Sequence, residues 1–374
     1  MNFDTRPCPR LLFGPGRLAE LPECVRALGA SKPLIITDPG IVAAGHVERA
    51  ATLLGNAGLR PDVFEESQVN PTESDVAECR DFAARVRPDL IIGLGGGSSL
   101  DTAKGCNFLL SHPDKRMSDF HGYGHATAPM LPFIAVPTTA GTGSECQSYT
   151  VLARDGTHEK MACGDPKALA RIALLDPELT ASQPEFVATL AALDALSHAI
   201  ESAVSTKHNP VSSAYSRQAF KLLSDSIESL LTGTPSDCDR AQLLLGAAMA
   251  GSAIENSMLG AAHATANPLT ARYNLPHGLA VWTMLPHVVR FNMGCRDAAA
   301  KYGDLSHHLG QSLPDWIDHV LALANLPPAE VPPDVIPQLV ADAFGQWTGR
   351  FNPRPLTPEV LTSLYESALT APVS

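Results

Sequence analysis

The sequence predicts an α/β domain followed by an all-helical one, and three observations carry that reading. In the first half, short apolar runs rich in β-branched residues alternate with helix-length segments. Near residue 178 the alternation stops, and beyond it long Ala- and Leu-rich segments take over. Near-continuous apolar strands separated by helices imply a mostly parallel sheet covered on both faces. Ala, Leu, Met and Gln at the helical period imply helices packed on helices. The expected domains are 1–178 and 179–374, with the cleft between them as the expected site.

Taken in order, Pro33-Leu34-Ile35-Ile36-Thr37-Asp38 reads as a buried strand, ended by Pro39-Gly40. Asp89-Leu90-Ile91-Ile92-Gly93-Leu94 reads as a second and Phe133-Ile134-Ala135-Val136 as a third. The segments 185–204 and 239–257 read as long helices. Proline clusters at 327–337 and 353–358 cut the last third into shorter ones.

Composition excludes several classes of function. The chain has 374 residues, 45% of them hydrophobic and 18% charged, which suits a large packed core. Lys plus Arg number 27 against 39 Asp plus Glu, a net charge of −12 that repels a phosphate backbone. With no basic run to offset it, no nucleic-acid partner is expected. The eight cysteines include no C-x-x-C pair, as expected of reduced thiols in the cytoplasm. The first seven residues have no apolar core of the kind a signal peptide needs. The stretch Leu243 to Ile254 breaks at Glu255, too short for a bilayer, so no membrane partner is expected.

Two loops carry the first chemical signal. Gly95-Gly96-Gly97-Ser98-Ser99 follows the second strand and opens a helical run. Glycine lets a backbone approach a ligand, and Ser98 or Ser99 can cap a helix whose amides would face a pyrophosphate. The spacing is not G-x-G-x-x-G, and alone the segment is equally a plain glycine turn. Pro137-Thr138-Thr139-Ala140-Gly141-Thr142-Gly143-Ser144-Glu145 follows the third strand, its hydroxyls suited to phosphate, ribose or amide, though also to any polar turn. Two such loops at strand ends favour a dinucleotide. Asp38, ending the first strand, would accept from an adenosine ribose and repel a 2′-phosphate, favouring NAD over NADP; its plainer role is to start a turn.

A metal signal comes from four residues. Asp194 and His198 are four apart in a helical pattern and so share a face. His263 lies in a small-residue helical stretch, and His277, between Pro276 and Gly278, on a loop or helix start. One carboxylate and three imidazoles can hold a divalent transition metal and leave a position open. In a chain with 13 histidines, each taken singly is more often a packed residue.

Together these segments closely resemble the iron-containing (group III) alcohol dehydrogenases. Gly95 to Lys104 resembles the family's pyrophosphate loop, Pro137 to Glu145 its nicotinamide-side loop, and Asp194 to Glu201 its metal helix. His263-x3-Asn267-Pro268-Leu269 and Tyr273-x2-Pro276-His277-Gly278 resemble its remaining metal segments. The match runs in order from Phe13-Gly14-Pro15-Gly16 to Asn352-Pro353-Arg354.

The resemblance implies a dinucleotide-binding α/β domain and an all-α metal-binding domain, the two-domain architecture shared with dehydroquinate synthase. It implies Asp194, His198, His263 and His277 as metal ligands, with Fe(II) first and zinc possible on ligand chemistry. It implies Asp38, Asn70, Gly96, Gly97, Ser98, Thr138, Thr139, Thr142 and Lys160 as contacts of NAD(H), with NADP(H) disfavoured. The reaction implied is hydride transfer between a small alcohol or aldehyde and nicotinamide C4, in a homodimer or larger assembly. Glycerol dehydrogenase, maleylacetate reductase and a dehydroquinate synthase-like lyase are the rival readings on the same fold. One position departs from the family, which usually has a second His where this chain has Asn267. Asn cannot titrate, so a proton relay there is replaced by water, ribose or another group, unless Asn267 hydrogen-bonds the substrate. His121, Tyr123 and His125 are candidates to border the substrate, and Arg272 to steer an anionic aldehyde.

Overall fold

A computed structural model of the chain describes residues 3–156 and 159–369. One compact unit spans Arg6–Gln183, and the other takes in the chain from Pro184 onward together with residues 3–5, which the expected boundaries had put in the first domain. The strands of the first unit are β1 (Arg10–Phe13), β2 (Pro33–Ile36), β3 (Asp62–Phe64), β4 (Leu90–Gly95), β5 (Gly122–Tyr123), β6 (Phe133–Pro137), β7 (Tyr149–Ala153), β8 (Lys160–Gly164) and β9 (Ile172–Leu175). Six of them form one all-parallel sheet in the order β1-β9-β6-β4-β2-β3. The other three form a small sheet, β5-β8-β7.

The three strands read from the sequence are β2, β4 and β6, adjacent in the middle of the large sheet and buried along their whole length. Edge strands β1 and β3 are partly exposed, so their sequences carry a weaker apolar signal. Helices α1 (Leu21–Ala27), α2 (Pro39–Ala43), α3 (His46–Asn56), α4 (Glu73–Val86) and α5 (Gly97–Ser111) complete the unit. Alternation along the strands divides the core in two. Ile35, Ile92, Leu94, Ile134 and Val136 pack with Leu21, Val25, Val47 and Leu54 of α1 and α3. Leu34, Ile36, Ile91, Phe133 and Ala135 pack with Cys79 and Ala83 of α4 and Leu100 and Ala103 of α5.

Register then places the loops. Ile36 pairs with Gly93, and Gly95 with Pro137, so the carboxyl ends of β2, β4 and β6 lie side by side. Asp38, the glycine loop and the threonine loop are therefore neighbours, as ligand sites of parallel sheets require.

The second unit is helical: α6 (Glu185–Val204), α7 (Pro210–Leu231), α8 (Asp237–Glu255), α9 (Ala261–Tyr273), α10 (His277–Asn292), α11 (Arg296–Leu309), α12 (Leu313–Ala324), α13 (Ile336–Gly345) and α14 (Pro358–Leu369). The two proline clusters fall between α12 and α13 and just before α14, where they were expected to break the chain. Helix α6 touches α7, α8, α10 and α11 and is buried almost all round from Thr189 onward. By length and composition it could cross a bilayer, but 83% of its most apolar window is buried within the protein, the pattern of a core helix.

Candidate functional site

The metal-ligand candidates come from three helices of the second unit. Asp194 and His198 lie one turn apart on α6, both buried to 5% exposure. His263 sits in the first turn of α9, and His277 is the first residue of α10. The link between those two helices reverses at Asn274, whose φ of 52° is left-handed, and Pro276 is then the N-cap of α10. Gly278 lets α10 start close against α6: a Cβ there would strike the Leu190 carbonyl, one turn before Asp194.

The three imidazoles converge on one oxygen of the fourth residue. Asp194 Oδ1 lies 3.4 Å from His198 Nε2, 3.4 Å from His263 Nε2 and 3.9 Å from His277 Nε2. The His198 and His263 rings stack at 4.9 Å, and His263 meets His277 edge-on at 5.3 Å. Donor atoms of Asp194, His263 and His277 all lie within 4.8 Å of one another, with His198 joining through Asp194.

Electrostatics fit a cation here. Burial opposes ionisation of Asp194, but the surrounding His198, His263 and His277 outweigh it and hold the carboxyl well below its ordinary range. Burial would likewise lower His263, yet Glu201 and Asp194 raise it to about 9. Asp194 Oδ1 and His263 Nε2 are buried without a hydrogen-bond partner among the described residues. Buried polar atoms seldom stay unsatisfied, and a divalent ion satisfies a carboxylate and imidazoles together. The donors present therefore fit iron or zinc.

Cofactor-side candidates lie in the first unit. Gly96 is the N-cap of α5 and makes no side-chain cap bond, so the expectation that Ser98 or Ser99 caps this helix is corrected. Both serines lie inside its first turn and look elsewhere. Ser99 Oγ donates to Asp38 Oδ2 at 2.7 Å, and Ser98 Oγ accepts from Asn70 N at 3.2 Å. The first-turn amides of α5, uncapped by any described side chain, suit an anion. Asp38 also caps α2, accepting from Ile41 N at 3.1 Å. The turn role and the closeness to the glycine loop thus coexist.

Thr138 N donates to Gly95 O at 3.0 Å, while Thr138 Oγ1 is buried with no described partner. A Cβ on Gly97 would stand 2.6 Å from Thr142 Cγ2, and one on Gly96 3.1 Å from Thr139 Cγ2. The glycines are thus required partly by the threonine loop itself. Lys160 lies on β8, where its charge acts on Asp101 of α5, the acceptor of a hydrogen bond from Ser144 Oγ of the threonine loop.

Other candidates are engaged elsewhere. Arg272 is ion-paired with Asp342 and bonded to Gln338, both on α13, so anion steering finds no support at that position. Asn267 Nδ2 donates to Gln346 Oε1 at 3.0 Å. Tyr123 packs on Tyr149 at 5.4 Å, while His121 and His125 are exposed.

Two groups escaped the sequence reading. Glu201 is buried and bonded to His263; its signal was its place seven residues after Asp194 and three after His198, on the same face. Lys104, 1% exposed, donates to Ser144 O at 2.6 Å, Ser144 Oγ at 2.8 Å and Tyr149 O at 2.8 Å, beside the buried Glu145. No local spacing links Lys104 to a loop forty residues on.

Residues 8–177 match the family model "Iron-containing alcohol dehydrogenase", and residues 188–369 match the C-terminal model of the Fe-containing alcohol dehydrogenase family. Alcohol dehydrogenase 4 of Schizosaccharomyces pombe is 30% identical over 368 residues, covering 96% of this chain and 87% of that protein. NAD-dependent methanol dehydrogenase of Bacillus methanolicus is 31% identical over 305 residues, covering 82% and 79%. The crystal structure of a 1,3-propanediol oxidoreductase superposes with a TM-score of 0.91 at 27% identity, covering 98% of this chain and all of that one.

Proposed function

The chain belongs to the iron-containing alcohol dehydrogenase family and is an oxidoreductase of that family, and we propose that it interconverts a small alcohol and its aldehyde using NAD(H) and Fe(II). The observation that carries this reading is the convergence of three imidazoles on the buried, unsatisfied Asp194 Oδ1. Relatives named for methanol and 1,3-propanediol support a small substrate, and one named NAD-dependent supports the cofactor.

When bound, a divalent metal supplies Lewis acidity toward a substrate oxygen, and NAD supplies the hydride acceptor at C4. Asp194, His198, His263 and His277 would hold the metal. Three of these side chains are at most 8% exposed and His277 is 27% exposed, which makes it the ligand nearest solvent and the one a substrate meets first. The three buried ones would keep water away from their side of the site. Asn267 carries no titratable proton, so it would not relay the alcohol proton itself, which would have to leave by water, the cofactor ribose or another group.

In the first unit, Asp38, Asn70, Gly96, Gly97, Ser98, Thr138, Thr139 and Thr142 would hold the dinucleotide. The Asp38 carboxylate repels a 2′-phosphate, which sets NAD above NADP. Lys160 joins this set only through the family resemblance. Eight cysteines, none in a disulfide, support a reducing, cytoplasmic setting. A homodimer or larger assembly follows from the resemblance, and light scattering of the pure protein tests it.

The deciding experiment is NADH consumption by anaerobically iron-loaded protein across a panel of small neutral and anionic aldehydes. A rate that chelator abolishes is expected, and with Arg272 already paired, neutral aldehydes should lead the ranking. No rate with any aldehyde, in protein shown to hold metal and NADH, would overturn the substrate class.

A further inference from the structure

We propose that Glu201 is a positioning residue of the metal centre, fixing His263 so that Nε2 is the nitrogen it offers to the ion. The inference rests on reading Asp194, His198, His263 and His277 as metal ligands.

Each carboxylate oxygen of Glu201 has its own partner in the first turn of α9. Oε2 is hydrogen-bonded to His263 Nδ1, and Oε1 accepts from Ala262 N at 2.7 Å. Glu201 is 3% exposed, so solvent does not compete for either bond. One side chain therefore caps a helix N-terminus, where a negative charge is favoured, and orients an imidazole carried on that same turn.

The surroundings are built for this reach. Gly260 precedes α9, and a Cβ on it would stand 3.1 Å from both Glu201 Oε1 and Asn352 Oδ1. Asn352 Oδ1 takes the neighbouring amide, Ala261 N, at 3.3 Å, and is itself held by Asn292 Nδ2 at 3.0 Å. The first turn of α9 is thus pinned by two side chains from other parts of the fold, and His263 rides on it.

With Nδ1 committed to Glu201, Nε2 is the nitrogen left to bind an ion, and it lies 3.4 Å from Asp194 Oδ1. Ligands and support share one helix. Asp194, His198 and Glu201 are spaced i, i+4, i+7 on α6, so the face that supplies two ligands also orients the third. A hydrogen-bonded carboxylate strengthens the imidazole as a donor, and losing such a partner costs about 10- to 100-fold in metal affinity in other proteins.

The test is zinc affinity of the full chain, stripped and reloaded, by competition with a chromophoric chelator. Glu201→Gln keeps the side chain's size but replaces one acceptor by a donor, so it cannot serve both partners. Its zinc affinity is expected to fall about 10- to 100-fold, with the circular dichroism of the stripped protein unchanged. In a His263→Ala background the same change should alter affinity by less than about twofold, because coupled residues do not add. Wild-type affinity in Glu201→Gln, or an undiminished loss in the His263→Ala background, overturns the proposal. If Glu201→Gln does not fold, Glu201→Asp replaces it. Its shorter arm should weaken zinc binding in the same direction, and unchanged affinity there overturns the proposal equally. A different result marks failure of the metal reading itself: no zinc bound by the wild type, or wild-type affinity in Asp194→Asn.

Discussion

At the scale of single residues, burial decides which charges can act. Glu145 is 2% exposed and sits beside Lys104, yet its Oε1 has no described hydrogen-bond partner. Burial raises its carboxyl from the ordinary 4.5 to about 7, its own backbone N–H and then Lys104 only partly offsetting the effect. The folded state therefore binds this proton more tightly than the unfolded chain. Its contribution to stability is full below pH 4.5 and is lost as pH rises through about 7, a change on the order of 3 kcal/mol. Glu145→Gln should remove that loss. Urea unfolding at pH 5 and pH 8 is expected to show the variant gaining on the wild type at pH 8, and an equal difference at both would refute it. His277 is the second case. His277→Ala should lose metal and turnover while NADH still binds, because the candidate dinucleotide contacts lie in the other unit. Metal content by elemental analysis and NADH fluorescence titration check the two halves, and normal metal content would remove His277 from the ligand set.

At the scale of elements, ligand geometry depends on how closely helices approach. Helix α10 starts against α6 because Gly278 has no side chain where the Leu190 carbonyl lies. The conformation itself is not strained, so the requirement is steric. Gly278→Ala should push the start of α10 outward and carry His277 with it. A destabilisation of about 1–3 kcal/mol is expected from the overpacking, together with weaker metal binding. Denaturation and chelator competition would show both, and unchanged metal affinity would mean that His277 adjusts independently of the helix. Strand register does the same for the cofactor loops. Gly95 opposite Pro137 brings the glycine and threonine loops together, and a one-residue slip would turn every side chain to the wrong face.

At the scale of the whole molecule, metal-ligand and dinucleotide candidates belong to separate compact units. A ligand stabilises what it binds by mass action, by about 2.7 kcal/mol when present at a hundred times its Kd. Metal should therefore raise the unfolding temperature of the helical unit, and NAD that of the α/β unit. Calorimetry of stripped, metal-loaded and NAD-loaded protein would show two transitions responding selectively. One transition moved equally by both ligands would contradict the assignment.

The sequence by itself determined the central strands, the core helix and the candidate ligands, because their signals are local. A fully buried strand is apolar along its length, as β2, β4 and β6 are, and a helix places Asp194 and His198 on one face whatever packs against it. Glycine and threonine loops were legible because they directly follow such strands. Short edge strands and the β5-β8-β7 sheet were not, since a half-exposed strand has a weaker apolar pattern. Only the tertiary structure decided that Ser99 binds Asp38 instead of capping its own helix, that Arg272 is occupied by Asp342, and that Glu201 holds His263. These partners lie 61, 70 and 62 residues apart. Local periodicity fixes which face a side chain occupies, but its partner is set by which faces the packed core brings together.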